Sequence, residues 1–472
     1  MNKTILAIDI GSTKICSIIA EKTDDNQLQI LGHGIVKSQG IKKGSITNIE
    51  LASKVIKKAV SDAKRVSGSN INNAIVSISN AYAKSINSTG IVNIPHKDIG
   101  IKEIHRALNT ALYNANIPNE YEIIHVLPYN FKVDDQDFVE DPFGMNASRL
   151  EAEVNIIMTQ KSNLANLKKA VKSAGVEIED IVLNGYASSI ATIKDDDKEL
   201  GVVVLDLGGQ TSTLTVYTGN AIRYNDFFGI GSNNITSDLS IALHTPLNIA
   251  ENIKIRHGNL TEISNDTIEL PIIGNEENRS IVSLDIVHDV IFARVEETLA
   301  ILEKIFDKSG LKEKIGSGII LTGGMANLKG IRELAQVIFS NMPVRIGIPN
   351  TENIKGMFEE LKNPAFASAI GLLLHKAGSH TEYEINYAQE LLHSKAIEND
   401  NLHDIKIHNN AADDYQEQRK NQKNRYENDE HLLFEDQTKE DNAQSFCLED
   451  LTRADKQNNY ISRLSTWLKQ LF

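Results

Sequence analysis

Ile5–Lys22 reads ILAIDIGSTKICSIIAEK, and Val202–Gly219 reads VVVLDLGGQTSTLTVYTG. Each runs apolar residues into an Asp, one apolar residue, a Gly and two small or polar residues, then into a second run rich in strand formers. Both predict strand, tight glycine turn, strand: a β-hairpin with a polar tip. Asp9 and Asp206 hold the same place in the two copies. Two related halves, each presenting an acid at a hairpin tip, imply a cleft between two similar domains.

The tips suit a nucleotide with magnesium. Backbone N–H groups of a glycine turn can approach phosphate oxygens because no Cβ intervenes. Mg2+ keeps most of its waters and takes one or two carboxylates plus phosphate oxygens. Asp9 and Asp206 would supply those carboxylates, directly or through water, with the charge of Lys14 beside the phosphates. Taken alone, either stretch reads more readily as a buried hairpin with Asp in its turn. The repeat favours the nucleotide, and so does a third element, GIILTGGMANLKGI at Gly318–Ile331. There an apolar strand enters Thr322-Gly323-Gly324-Met325 and then a helix, and two glycines at such a turn admit a flat ring or a sugar.

A chain of 472 residues can hold more than one core, so two domains are expected. Its 41% hydrophobic and 24% charged residues describe a globular protein, and a net charge of −14 argues against general nucleic-acid binding. Cys16 and Cys447 have neither metal-ligand spacing nor a disulfide pattern, which fits a reducing cytoplasm. The N-terminus carries Asp9 in its apolar run and no cleavage site, so no signal peptide is expected. No window of about 18 apolar residues is present to span a membrane.

Charge is unevenly spread: Ala377–Asn458 holds 19 Asp and Glu against 9 Lys and Arg, a net of −10, while residues 1–376 carry −6. This polar, Asn- and Gln-rich stretch predicts a disordered tether, with short helical segments such as NYAQELLHS possible within it. Beyond it the chain ends YISRLSTWLKQLF. At 100° per residue, Tyr460, Ile461, Leu464, Trp467, Leu468, Leu471 and Phe472 fall within an arc of roughly 140°. Ser462, Arg463, Ser465, Thr466, Lys469 and Gln470 fill the other face. Such a helix packs on its own body, docks on a partner or lies in a membrane interface. A leash of about 80 residues reaches roughly 50 Å or more, which disfavours the first. Trp467 with Arg463 and Lys469 at the polar boundary suits a lipid headgroup layer.

Phosphate hairpin, second phosphate hairpin and adenosine turn, in that order, resemble the actin, hexokinase and DnaK ATPase superfamily. Within it the chain resembles the FtsA family of bacterial cell-division proteins. The stretches that carry this are SQGIKKGSITNIE, EIIHVLPYNFKVDD, DPFGMNASRLEAEVNIIMTQ, IKIRHGNL, IILTGGMANLKGI, PAFASAIGLLLH and RLSTWLKQLF. The resemblance implies an α/β, actin-like two-lobed ATPase fold with an inserted α+β subdomain, a disordered acidic linker and a C-terminal amphipathic helix. Its subdomains would be 1A at 1–82, 164–198 and 356–376; 1C at 83–163; 2A at 199–230 and 308–355; and 2B at 231–307. The linker would occupy 377–458 and the membrane-targeting helix 459–472. Within 1C, IHRALNTALYNANI is the expected helix, EYEIIHVLPYNFKV and RLEAEVNIIMTQ the expected strands, and DPFGMNASR a contact loop for self-association into filaments.

Carried over position by position, the resemblance gives Asp9, Gly11, Ser12, Thr13 and Lys14 as the first phosphate contact, and Asp206, Gly208, Gly209 and Gln210 as the second. Gly323, Gly324 and Met325 would line adenosine, with Glu251 and Lys254 reaching ribose or base, unless they form a solvated i, i+3 pair. The implied cofactors are ATP and Mg2+, with Asp9 and Asp206 toward the metal. The implied partners are FtsZ, whose tail would meet subdomain 2B, later divisome proteins, other copies of the chain and membrane lipids. Localisation would be peripheral, on the cytoplasmic face of the inner membrane at the septum, with Ile461, Leu464, Trp467, Leu468, Leu471, Phe472, Arg463 and Lys469 as the lipid contact. Arg294, in DIVHDVIFARVEETLAILEKIF, would pair with a carboxylate of the FtsZ tail or with Glu297 of its own helix.

Two departures stand out. Gln210 replaces a glycine common in the second hairpin, where glycine-only backbone angles would be costly for it; its side chain could replace a lost contact. In LNGYASSIAT, Asn184 stands where active ATPases of the superfamily carry a Glu that orients water, and an amide is a poor proton acceptor. Slow turnover is therefore expected. The rival readings are a small-molecule kinase, for which no further catalytic aspartate is evident, a DnaK-type chaperone, which lacks its substrate domain here, and a PilM-like scaffold, which would lack the terminal helix Leu464–Phe472.

Overall fold

The computed structural model of the protein describes residues 3–393, apart from 24, 26, 220, 341, 353 and 357. The expected terminal amphipathic helix and most of the expected tether lie outside the described residues.

Both anticipated hairpins are present. The strands β1 (Lys3–Ile10) and β2 (Lys14–Lys22) pair antiparallel with Asp9 opposite Cys16. The strands β3 (Val202–Leu207) and β4 (Ser212–Thr218) pair likewise with Asp206 opposite Thr213. Unbroken Ile, Val and Leu runs suit strands covered on both faces, and Ile5–Ile10 and Val202–Leu205 are buried throughout. Around each hairpin the sheet repeats the same plan. The first runs Glu177–Leu183, Asn73–Ile78, β1, β2, Leu28–Lys37, with Ile354–Lys355 added at the edge. The second runs Val344–Ile346, β5 (Gly318–Thr322), β3, β4, Ala221–Phe228. In both, the two strands before the hairpin are parallel to its first strand and the strand after it is antiparallel to its second.

A third, antiparallel sheet is inserted after Asn73–Ile78: Ala83–Asn93, Arg149–Gln160, Tyr121–Val133 and Gln136–Val139 in spatial order. Its helix spans Ile101–Asn114 and starts three residues before the expected one, because Glu103 accepts the Gly100 N–H at 3.1 Å and fixes that end. Gly90 lets the helix lie directly on the sheet, since a Cβ there would come within 2.0 Å of the Ala107 carbonyl oxygen.

The expected tether begins too early. Residues 378–393 belong to the body: Tyr383 and Ile385 are buried in the core of the third sheet, and Ile385 and Val126 exchange backbone hydrogen bonds at 3.0 and 3.1 Å. NYAQELLHS is not helical in its described part; the Leu392 N–H returns to the Glu384 carbonyl at 2.7 Å and closes a loop. Composition conceals this strap because few apolar side chains anchor an otherwise polar stretch.

Three helices frame the cleft: α1 (Asn184–Thr192), α2 (Ser232–Ala242) and α3 (Ala367–Ala377). The first and last, rich in Ala, Ser and Gly, pack backbone to backbone. A Cβ on Gly371 would lie 1.7 Å from the Ala187 carbonyl oxygen, so the helices cannot keep this distance with any larger residue. Gly371→Ala is expected to cost about 1–3 kcal/mol of unfolding free energy, as overpacking does. Urea unfolding followed by circular dichroism checks this; an unchanged midpoint would mean the helices separate freely.

Candidate functional site

The two turns close identically. The Gly11 N–H donates to the Lys14 carbonyl at 3.1 Å, and the Gly208 N–H to that of Thr211 at 2.9 Å. A Cβ at either glycine would lie 2.8 or 2.7 Å from that carbonyl oxygen, so the turn needs glycine in both copies. The tips meet across the cleft, where a Cβ on Gly209 would fall 1.7 Å from the Thr13 hydroxyl. Gln210 is not among the residues with positive φ, so the expected backbone penalty does not arise. Its side chain does take a contact, accepting the Lys43 N–H at 2.8 Å, while the Ser12 hydroxyl accepts the Gly44 N–H at 2.9 Å. The loop Gly40–Ser45 thus stitches the two tips together.

Behind the tips lie the acids. Asp9 is buried and accepts the Ser77 hydroxyl at 2.9 Å; burial pushes its carboxyl up, against the charge of Lys14 and that hydrogen bond. Asp206 is pushed up to about 6, first by burial and further by Asp9, while hydrogen bonds from Ser188 and Ser368 and the charge of Lys14 oppose the rise. The Ser368 contact measures 3.3 Å. Gly323, at φ 84°, brings the third glycine turn onto the same carboxylate, since a Cβ there would lie 2.5 Å from Asp206 Oδ1. Lys14 turns aside: its ammonium donates to the Ala365 carbonyl at 2.5 Å and stands 4.7 Å from the centre of the Phe366 ring.

Other expected residues lie one layer back. Lys254, 9% exposed, pairs with Glu251 at 2.7 Å and donates to the Ser232 carbonyl and the Thr236 hydroxyl at 3.1 and 2.9 Å. The pair of the second reading is therefore present, with Glu251 partly exposed and Lys254 buried, and burial lowers the lysine's proton affinity. The pair supports α2, whose Ser232 and Asn233 N–H groups donate to the Gly208 and Gly209 carbonyls at 3.0 and 2.7 Å. Met325 is 4% exposed and packs in the protein interior, while Gly324 is open. Arg294 is held by Asp238 of α2 at 2.5 Å and by Glu297 of its own helix. Asn184 opens α1, and its Oδ1 is buried without a hydrogen-bond partner among the described residues.

Sequence reasoning missed Ser77, Ser188, Ser368, Lys43 and the start of α2. Single serines carry no spacing signal, whereas GIGSNN, a glycine-flanked polar turn before a helix, was readable. The donor set fits the implied magnesium nucleotide. Two hard carboxylates with raised proton affinity face one cleft, the charge they lack is that of a divalent cation, and glycines keep side chains out of the gap.

Comparison with known proteins follows the same lines. The family described as Cell division protein FtsA matches residues 203–371, and the SHS2 domain inserted in FTSA matches residues 80–158. The cell division protein FtsA of Helicobacter pylori strain J99 is 42% identical over 411 residues, covering 80% of this chain and 83% of that one. Its counterpart in Pseudomonas aeruginosa is 35% identical over 376 residues, covering 79% and 89%. Among solved structures, the PilM-PilN type IV pilus biogenesis complex has a TM-score of 0.56 at 15% identity, over 79% of this chain and 98% of that one, and so shares the fold. With its doubled hairpin sheets, its glycine turn and its inserted domain, this actin-like chain belongs to the FtsA family of cell-division proteins.

Proposed function

We propose that this chain binds ATP with Mg2+ between the two hairpins, self-associates through its inserted domain, and holds FtsZ polymers at the cytoplasmic membrane by its terminal amphipathic helix. The observation that supports this best is the meeting of Asp9, Asp206 and Gly323 behind two glycine tips. When bound, the metal would neutralise phosphate charge. The chain's own residues do the rest: Gly11, Ser12, Thr13, Gly208, Gly209 and Gln210 present the turns, and Lys14 swings from Ala365 to the phosphates. Gly323 and Gly324 leave room for adenosine, with Glu251 and Lys254 bracing α2 behind it.

In this reading 83–163 is subdomain 1C, 231–307 is subdomain 2B, and the FtsZ tail reaches 2B near the helix Leu284–Lys308. Arg294 serves that contact by exchanging Asp238 or Glu297 for a tail carboxylate. Later divisome proteins would join at the septum. The terminal helix, with Ile461, Leu464, Trp467, Leu468, Leu471 and Phe472 toward lipid, is a marginal anchor comparable to one acyl chain. Its two cations add about 1 kcal/mol each near anionic lipid. Several copies on one filament therefore hold where one does not. The PilM-like fold offers a second reading, which the terminal helix Leu464–Phe472 distinguishes.

Three outcomes are expected. Asp206→Asn weakens Mg2+-dependent binding of fluorescent ATP at least about tenfold, a loss of ~1.4 kcal/mol. In the parent, binding weakens about fourfold from pH 7.5 to 5.5, because a proton on the carboxyl with pKa near 6 competes with the metal. The folded carboxyl holds its proton more tightly than the unfolded one, so the same group stabilises the nucleotide-free protein as pH falls through 6. A pH-independent affinity would remove Asp206 from the site. Second, with Asn184 in place of a carboxylate, phosphate release stays below about 1 per second, under the ordinary enzyme range; several per second would overturn the assignment. Third, truncation after Asn458 abolishes co-sedimentation with anionic vesicles while ATP binding persists; equal sedimentation of both forms would dispose of the anchor.

A further inference from the structure

Away from the hairpins, a cluster of buried ionisable side chains among the described residues lies under the strap. Glu384 of the strap accepts hydrogen bonds from His125 at 2.7 Å, His375 at 3.3 Å and the Tyr186 hydroxyl at 2.8 Å. The Thr381 N–H donates to the Tyr186 oxygen at 2.7 Å. Burial alone would raise the Glu384 carboxyl, but the imidazoles, His375 foremost, and their hydrogen bonds hold it well below the usual range. Two histidines and a glutamate with donor atoms within 4.8 Å of one another have the composition of a metal site. The geometry excludes it. The Leu183 N–H donates to His125 Nε2 at 3.1 Å, so that nitrogen is an acceptor and Nδ1 carries the proton. A metal on Nδ1 would move the proton to Nε2, where it would face another donor; metal-bound histidines instead give that proton to an acceptor. The cluster is a hydrogen-bonded clasp.

The clasp and the hairpin site share their supports. Helix α1 places Ser188, whose hydroxyl donates to the Gly185 carbonyl at 3.3 Å, where it also acts on Asp206, and supplies Tyr186 to Glu384. Helix α3 supplies Ser368 to Asp206 and His375 to Glu384. Ser368 and His375 are seven residues apart, two turns along one face and about 10 Å of helix. Gly371, midway between them, is where α3 meets the α1 backbone. Two helices fixed to each other thus have one set of hydroxyls on the site carboxylate and another set of donors on the strap carboxylate.

We propose that α1 and α3 relay the occupancy of the Asp206 site to the strap, so that magnesium-nucleotide binding loosens residues 379–393 from the inserted domain. The inference rests on the nucleotide reading above. With a divalent cation held there, Ser188 and Ser368 would no longer be what answers the Asp206 charge, and the hold of both helices on that carboxylate would slacken. On α1 Tyr186 lies two residues before Ser188, and on α3 His375 lies two turns beyond Ser368, so a shift of either helix takes an aligned donor from the strap carboxylate. Coupling of this kind is reciprocal: the nucleotide binds the loosened strap more tightly than the fastened one by the factor with which it loosens it.

Hydrogen exchange on the full chain, with and without Mg2+ and ATP, reads the strap at the Thr381, Ile385 and Leu392 amides, while fluorescent-ATP titration reads the site. Exchange there is expected to speed up about fivefold or more on binding, the lower end of allosteric coupling. Tyr186→Phe, which removes only the hydroxyl, is expected to tighten ATP, by at most that factor when the strap is fully open. Glu384→Gln, which keeps the shape of the side chain, is the second variant. ATP that binds while strap exchange stays constant overturns the relay and leaves the nucleotide reading intact. Weaker ATP binding by both folded variants also overturns it. No ATP binding at all removes both.

Discussion

Holding two carboxylates in one low-dielectric cleft is unfavourable unless the surroundings answer their charge. Asp9 and Asp206 are so placed because each ends the first strand of a hairpin, and the hairpin tips touch. Much of what surrounds them is a partial answer: the ammonium of Lys14 nearby, the hydroxyls of Ser77, Ser188 and Ser368, and a glycine at 323 that brings a third turn against Asp206. The answer remains incomplete, since both groups still bind protons more tightly than in water. A site built around an unmet negative charge selects cations and their phosphate partners over neutral ligands.

The doubled sheet explains why that charge arises twice. One hairpin plan, with the same order of strands and the same turn closure, was used in both halves, so an acid that serves one half is met by its equivalent. The halves then diverge where the cleft needs them to differ. Thr13 in one tip corresponds to Gln210 in the other, and Ser12 to Gly209. A side chain at 209 would strike Thr13, whereas Ser12 reaches the loop of Lys43 and Gly44 instead. Approximate symmetry with small exceptions is what lets the tips interlock.

The hairpins and their acids were legible because their signal is local: an unbroken apolar run, an acid and a glycine at fixed spacing. The third glycine turn was legible for the same reason. Ser77, Ser188 and Ser368 were not, because each sits alone in its segment and only the fold gathers them on the carboxylates. Glu251 and Lys254 show a middle case. Their spacing offered an ion pair beside the ribose reading, yet only the structure tells that Lys254 of that pair is buried against α2. Arg294 was read from charge and helix position, but one of the two acids that hold it, Asp238, is 56 residues away. The strap was misread altogether, since a polar composition describes a segment's average and not the two side chains, Tyr383 and Ile385, that decide where it lies.

Those two side chains have a consequence for how the molecule is made. The inserted domain, from Ala83 to Gln160, has its core completed by Tyr383 and Ile385, more than two hundred residues downstream. At ribosomal speeds of about 5–20 residues per second, roughly 10–45 seconds pass before that peptide is synthesised. During that interval the partners of Tyr383, among them Phe131, stand uncovered on a nascent chain. The order of synthesis therefore leaves this domain open to chaperones, or to a neighbouring copy's strap, until its own arrives.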